Sequence, residues 1–240
     1  MRAVLVLGSS LPRVGEGLRG WSVSSAGPLV RPSSLASPCP SRRDAWLLAR
    51  GWRLPRSGAV ARGISYHEEV LGVFRAAVRG PGALAEAVSS VRTHAGVWAV
   101  GVAAAWLGSG GVPPIAVEPR LPPAAGFTSS RPDLVIGSSP AEVAYTNGSR
   151  EYLERKRVEL AAYALIIEAL TKSPVSRGYL IRVGDDTVTV EEVPVDEGLR
   201  VEALRAREEI AAIMSSDEPP PMPGNCPRNC PLREVCEGVR

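Results

Sequence analysis

Apolar and polar positions follow two different rhythms along the chain, and the change of rhythm divides it. Between Ile64 and Arg79, His67, Leu71, Phe74 and Val78 recur at spacings of four, three and four. This predicts a helix with the histidine on its buried stripe. A shorter helix is expected from Ser41 to Arg50, capped by Ser41 and striped by Ala45, Leu48 and Ala49. Ala83 to Leu107 reads as one or two more helices, broken near Thr93 to Gly96. The apolar run from Ala95 to Leu107 is expected to be a buried helix, since its length of about 13 residues falls short of the roughly 20 that span a bilayer.

The period then shortens to two. Ile115 to Arg120, Asp133 to Ile136 and Ala141 to Thr146 are predicted strands, the last two joined by the turn Gly137-Ser138-Ser139-Pro140. A long helix from Glu151 to Leu170 follows, then strands at Tyr179 to Val183 and Thr187 to Val193 and a helix from Leu199 to Met214. The first 35 residues offer only a short strand, Ala3 to Leu7, and a Gly/Ser/Pro-rich stretch. This order describes an α/β chain with a mixed central sheet crossed by one helix and flanked by others. A single domain over 1–240 is expected, with a helical part at 36–110, a core at 111–195 and a C-terminal helix and cysteine tail at 196–240.

Composition sharpens this picture in two places. At 45% hydrophobic over 240 residues the chain is able to bury a sizeable core. The net charge is +3, yet residues 1–63 carry ten arginines against Glu16 and Asp44, a local +8 that leaves −5 for the rest. A basic flank beside an acidic centre suits a binder of phosphate backbones, because neutralised phosphates release counterions. A solvated arginine-rich face has the same composition. The start of the chain has an apolar stretch too short for a secretory signal, so a cytoplasmic location and no membrane are expected.

Candidate chemistry begins with Pro132-Asp133, eight residues, and then Glu142-Val143-Ala144. The spacing is that of the PD-(D/E)xK pattern, with alanine where the lysine stands. A turn at 137–140 sets Val135 opposite Glu142 and Asp133 opposite Ala144, and alternation then brings both carboxylates to one face. Such a pair suits Mg²⁺ or Mn²⁺, which take oxygen ligands and activate water for attack on a phosphodiester. Two acids ending strands at a solvated edge have the same spacing. Lys156 and Lys172 are the only lysines. Lys156 lies on the long helix with Glu159 and Tyr163 at offsets of three and seven, on one stripe. It is a candidate for a lysine that has migrated from the strand, and the space above Ala144 is where it is expected to reach.

The four cysteines are Cys39 and a C-terminal triple, Cys226, Cys230 and Cys236. In a cytoplasmic chain such spacing argues for a metal rather than disulfides, and thiolates suit both zinc and iron–sulfur clusters.

These pieces stand in an order that resembles the RecB-like Cas-four nucleases of CRISPR systems, in particular their archaeal subtype I-A branch. The residues that carry the resemblance are Cys39 with Arg42 and Arg43, Tyr66-His67-Glu68, Arg131-Pro132-Asp133-Leu134, Ala141-Glu142-Val143, Glu159-Leu160-Ala161-Ala162-Tyr163-Ala164-Leu165, and the cysteine triple. Alanine follows Glu142 in place of lysine, Glu159 replaces the usual glutamine, and three residues rather than two separate Cys226 from Cys230.

The resemblance implies a restriction-endonuclease-like core whose two ends are joined by a metal cluster. His67, Asp133 and Glu142 would be ligands of Mg²⁺ or Mn²⁺, with Lys156 as the catalytic cation. Cys39, Cys226, Cys230 and Cys236 would hold a [4Fe-4S] cluster. Glu159 and Tyr163 would position DNA, and Arg42, Arg43, Arg50 and Arg53 would guide it. The implied activity is a metal-dependent exonuclease on single-stranded DNA ends that processes spacer precursors with CRISPR integrase proteins. Two rivals remain: a DNA-end or partner binding module with a damaged site, and a zinc-stabilised structural protein.

Overall fold

The computed structural model describes residues 27–37, 39, 41–52, 58–145, 150–184, 186–222, 224, 226 and 233–238, the backbone alone for 58–62. The expected strand at Ala3 to Leu7, Arg53 and Cys230 lie outside the described residues.

Five strands form one sheet in the order β1 (Ile115–Val117), β2 (Leu134–Ile136), β3 (Ser139–Tyr145), β4 (Arg177–Val183), β5 (Val188–Pro194). Neighbours are antiparallel except β3 and β4, which run parallel because α5 (Arg150–Thr171) crosses between them. A parallel pair requires such a crossover, and the mixed sheet expected from the sequence follows from it. On one face the sheet packs against α5 and α6 (Glu197–Ser215), burying Val158, Ile166, Leu180 and Ile210. On the other it meets α2 (Gly58–Arg79) and α4 (His94–Gly108), with Leu71, Phe74, Val143 and Ile181 between them, and α3 (Pro81–Val88) packs against those two helices. The molecule is thus a mixed α/β fold with helices on both sides of the sheet.

Three expectations change. The β2–β3 connection is the two residues Gly137 and Ser138, with Gly137 at φ 63°, so Ile136 pairs with Ser139 and Leu134 with Ala141. A positive φ is what the tight turn requires of its glycine. The register therefore differs by two residues from the four-residue turn, and Asp133 comes level with Glu142 rather than Ala144. An even shift leaves every side chain on its original face, so the two carboxylates still share one.

The second change concerns α1 (Arg43–Ala49), which starts after Arg42 at φ 51° with no side-chain cap; Ser41 instead lies 3.7 Å from Cys39 Sγ. Third, α4 is not buried all round. Ala95, Ala99 and Ala103 face α2 at intervals of four, while Val97 is 65% and Val102 38% exposed. A helix at the edge of a layer has only one neighbour and buries only one stripe. Similarly Val78, placed on the buried stripe of α2, is 48% exposed; the core positions there are Val70, Leu71, Val73, Phe74 and Ala77. The break between α3 and α4 falls at 89–93, a few residues before the expected Thr93 to Gly96, and Thr93 caps α4 by accepting from Gly96 N.

Candidate active site

The side chains of the site come from four elements. Asp133 leads into β2 and Glu142 sits in the middle of β3, both turned toward α5; α2 contributes His67 and α5 contributes Lys156, Glu159 and Tyr163. All six line one cavity of about 680 Å³. The expected stripe on α5 is present as a chain of contacts. Lys156 Nζ lies 2.7 Å from Glu159 Oε2, as an ion pair off the line of a hydrogen bond, and donates to Glu142 Oε2 at 3.0 Å. The Tyr163 hydroxyl stands 3.5 Å from Glu159 Oε1 and 3.4 Å from the Arg131 carbonyl.

Across the hairpin, His67 Nε2 and Asp133 Oδ1 are 2.8 Å apart, Asp133 Oδ2 accepts from Val143 N at 2.7 Å, and Asp133 N donates to Glu142 Oε1 at 3.2 Å. Ala144 clusters with Leu153, Leu160 and Leu180, so leucines fill the space above it, and the Lys156 ammonium sits beside that space at Glu142.

Burial makes these contacts electrostatically strong. Glu142 is 3% and Glu159 1% exposed. Desolvation pushes the Glu142 carboxyl well above the usual carboxylate range, and the charges of Asp133 and Glu159 add to the effect while Lys156 opposes it. For Lys156, burial pulls downward, but the Glu159 and Glu142 carboxylates outweigh it and hold the ammonium well above its ordinary value. The hydrogen bond to Asp133 raises His67. Burial raises Tyr163 and keeps the phenol protonated.

One lysine and one histidine thus face three acids. Carboxylate oxygens with an imidazole alongside are donors of the kind a hard divalent cation takes, and His67, Asp133 and Glu142 are those at hand. In the present side-chain positions no three of the described His, Cys, Asp and Glu residues stand together as a complete metal shell.

Several other expected residues lie elsewhere. Arg42 and Arg43 do not line the cavity. Arg42 Nη1 donates to the Ser34 and Leu35 carbonyls, each at 3.2 Å. Arg43, 5% exposed, donates to Pro220 O at 2.6 Å and Cys236 O at 3.2 Å. Arg50 lies 3.9 Å over the Trp46 ring and donates to the Ser216 carbonyl. Arg43 and Arg50 tie α1 to the C-terminal segment and Arg42 ties it to the carbonyls at 34–35, so none of the three stands at this cavity, where a DNA-guiding role was expected of them.

Cys39 and Cys236 are buried, and Cys236 packs with Trp46 and Leu47 of α1. The Arg43 contacts bracket the tail on both sides of Cys226, and Arg155 of α5 donates to the Cys39 carbonyl at 3.3 Å. Cys39 and Cys236 therefore both lie beside α1, and soft thiolate chemistry fits a cluster or zinc.

Besides Lys156, the cations at the cavity are Arg31, Arg120 and Arg131; of these three only Arg131 stands in a motif of the sequence, and no role was expected of it. Arg131 could have been found, since it precedes Pro132-Asp133 and the start of an acid-bearing strand must lie near the acid.

The model of the CRISPR-associated exonuclease Csa1 family matches residues 107–239, a stretch that contains Asp133, Glu142, Lys156, Glu159, Tyr163 and the cysteine triple. The chain belongs to the Csa1 family. A Csa1 protein of Saccharolobus solfataricus, named CRISPR-associated exonuclease, is 32% identical over 118 residues, which are 46% of this chain and 39% of the relative. The match therefore spans well under two thirds of that Csa1 protein. A solved structure titled "Crystal structure of SSO0001" covers 88% of this chain and 87% of its own at a TM-score of 0.40 and 15% identity, a likeness too slight to place any residue. No described helix is long and apolar enough to cross a membrane.

Proposed function

We propose that the chain is a metal-dependent DNA exonuclease of CRISPR adaptation, which trims single-stranded ends of spacer precursors in company with integrase proteins. The observation that carries this reading is the meeting of His67, Asp133, Glu142 and Lys156 in one cavity, two of them acids on neighbouring strands and one a buried ammonium. The exonuclease named in the Saccharolobus relative supports it.

His67, Asp133 and Glu142 would hold Mg²⁺ or Mn²⁺, which when bound would supply Lewis acidity toward a phosphoryl oxygen and a more acidic water. The other steps belong to the chain. Lys156 places a permanent positive charge at Glu142, where negative charge builds up on the attacked phosphate. Glu159, buried and paired to that ammonium, fixes its position instead of presenting a bare carboxylate to the DNA. Tyr163 donates toward the Arg131 carbonyl and ties the loop before β2 to α5. The buried leucines around Ala144 exclude water from the lysine's flank.

The cysteine set supports a second part of the proposal, a [4Fe-4S] cluster on Cys39, Cys226, Cys230 and Cys236 that joins the chain ends. Purified, cluster-loaded protein incubated with Mn²⁺ and end-labelled single-stranded DNA tests the whole reading. Cleavage that is abolished by Asp133→Ala supports it. Intact protein that binds the DNA without cutting supports the binding module instead, and a colourless, zinc-containing preparation removes the cluster.

A further inference from the structure

Beyond the acid wall, the cavity has a second side built from Arg31, Ser33, Arg120, Ser129, Ser130 and Arg131. Arg31, Arg120 and Arg131 are exposed, and none of them forms an ion pair with a described residue. This contrasts with the arginines of the chain ends, whose guanidiniums are bound to carbonyls. The segment between β1 and β2 that carries most of these residues is a rigid bracket rather than a loose loop. Leu121 and Ser130 pair across it in both directions, at 2.9 and 3.1 Å. Its tip inserts Phe127, fully buried, into the core.

The turn at the tip has Ala125 at φ 52° and Gly126 at φ 80°, and Arg207 Nη1 donates to the Ala125 carbonyl at 3.1 Å. A Cβ at Gly126 would stand 2.2 Å from Arg207 Nη1, so only glycine allows the close approach. Val30 pairs with Phe127, with Thr128 N donating to Val30 O at 2.9 Å, and this brings the neighbouring Arg31 to the same rim. Ser130 Oγ is a buried hydroxyl with no hydrogen-bond partner among the described residues, and it belongs to a residue that lines the cavity.

We infer that Arg31, Arg120 and Arg131 form a preorganised subsite for the phosphodiester backbone of a single DNA strand, which delivers its end to the acid wall. This rests on the nuclease reading and adds the residues that bind the substrate. Three exposed guanidiniums with no ion-pair partner among the described residues are chemistry for anionic oxygens. The single strand follows from shape: a cavity of this size takes on the order of one or two nucleotides, and Glu142 at 3% exposure is out of reach of a duplex laid across the mouth. The bracket is anchored by Phe127, Arg207 and the Leu121–Ser130 backbone pair; of the rim arginines only Arg120 touches it, through a long exposed contact to Ser129 Oγ at 3.4 Å, so their removal leaves its main anchors in place.

The test measures binding of the full, cluster-loaded chain to a fluorescein-labelled oligothymidylate of about 20 nucleotides in EDTA, by anisotropy across a KCl series. The triple variant Arg31→Ala, Arg120→Ala, Arg131→Ala is expected to lower the slope of log Kd against log salt by about 2, since each phosphate that is no longer neutralised removes about 0.7. Arg92→Ala, on the α3–α4 turn outside the cavity, is expected to leave the slope unchanged. Equal slopes for the triple variant and the wild type overturn the inference, as does an absence of binding by the wild type. A blunt duplex that loses as much on mutation overturns the single-strand assignment. Cleavage with Mn²⁺, followed separately, keeps the two readings apart: a changed slope without cleavage retains the subsite and removes the enzyme, and cleavage with an unchanged slope does the reverse.

Discussion

The inner wall of the cavity and its outer rim use charge in opposite ways. On the wall every charged group has a partner within the protein: Lys156 is held between Glu142 and Glu159, and Asp133 between His67 and Val143 N. On the rim Arg31 and Arg131 extend into solvent with no ion-pair partner among the described residues. Pairing in a dry site fixes position and makes each group dependent on the others. Exposure without a partner leaves charge available to a ligand at little structural cost. Variants of the wall are thus expected to change turnover and stability together, and variants of the rim to change binding alone.

The largest effect is expected from Asp133→Ala, which removes a proposed metal donor and the acceptor of two hydrogen bonds: cleavage of end-labelled DNA falls on the order of a hundred- to a thousandfold. A variant that still cuts at the wild-type rate would dissolve the distinction between wall and rim.

Lys156→Ala comes next, leaving two buried carboxylates without their cation. Chemical denaturation at pH 8 is expected to show a loss of about 3–5 kcal/mol, together with strongly reduced turnover. The loss shrinks as pH falls, because Glu142, already pushed above the ordinary carboxylate range by burial, takes up a proton and no longer needs the ammonium.

Arg43→Ala tests a third location, the junction of the chain ends. It strips a buried donor from the Pro220 and Cys236 carbonyls and is expected to cost about 2–3 kcal/mol, with the salt dependence of DNA binding unchanged. A lowered salt slope in this variant would return Arg43 to the DNA path.

Arg131→Ala is a milder change on the rim: KM rises about tenfold, while kcat and the melting temperature remain as in the wild type. A fall in kcat with KM constant would place Arg131 on the wall.

The smallest expected effect is on the pH dependence of stability. Its hydrogen bond with Asp133 raises the pKa of His67 above the ordinary 6.5. The imidazolium's contribution is complete below that value and is lost as pH rises through the higher folded-state pKa. In metal-free protein, His67→Gln should flatten the decline in melting temperature above pH 6.5 and leave the acid side unaltered. An identical decline in both proteins would show that the histidine carries no charge in the pair.

Much of the fold and part of the site were legible in the chain itself, for physical reasons that differ by element. The strand, strand, strand, helix, strand order requires a crossover, so the parallel β3–β4 pair followed from it. The shared face of Asp133 and Glu142 was readable even though the turn was misjudged by two residues, because side-chain direction repeats every two. Lys156, Glu159 and Tyr163 met as their helical offsets require. The exposure of Val97 was not readable, since an apolar run gives no sign of how many neighbours a helix will have.

Sequence alone thus determined which residues share a face or a stripe, because that depends only on the repeat of the backbone. The tertiary structure alone decided which arginines are free to bind a ligand. Arg31 and Arg43 are chemically the same; the packing of the chain ends buried one against carbonyls, and the Val30–Phe127 bridge left the other at the mouth of the cavity. Local pattern does not encode that outcome, because it is set by contacts between segments far apart in the chain.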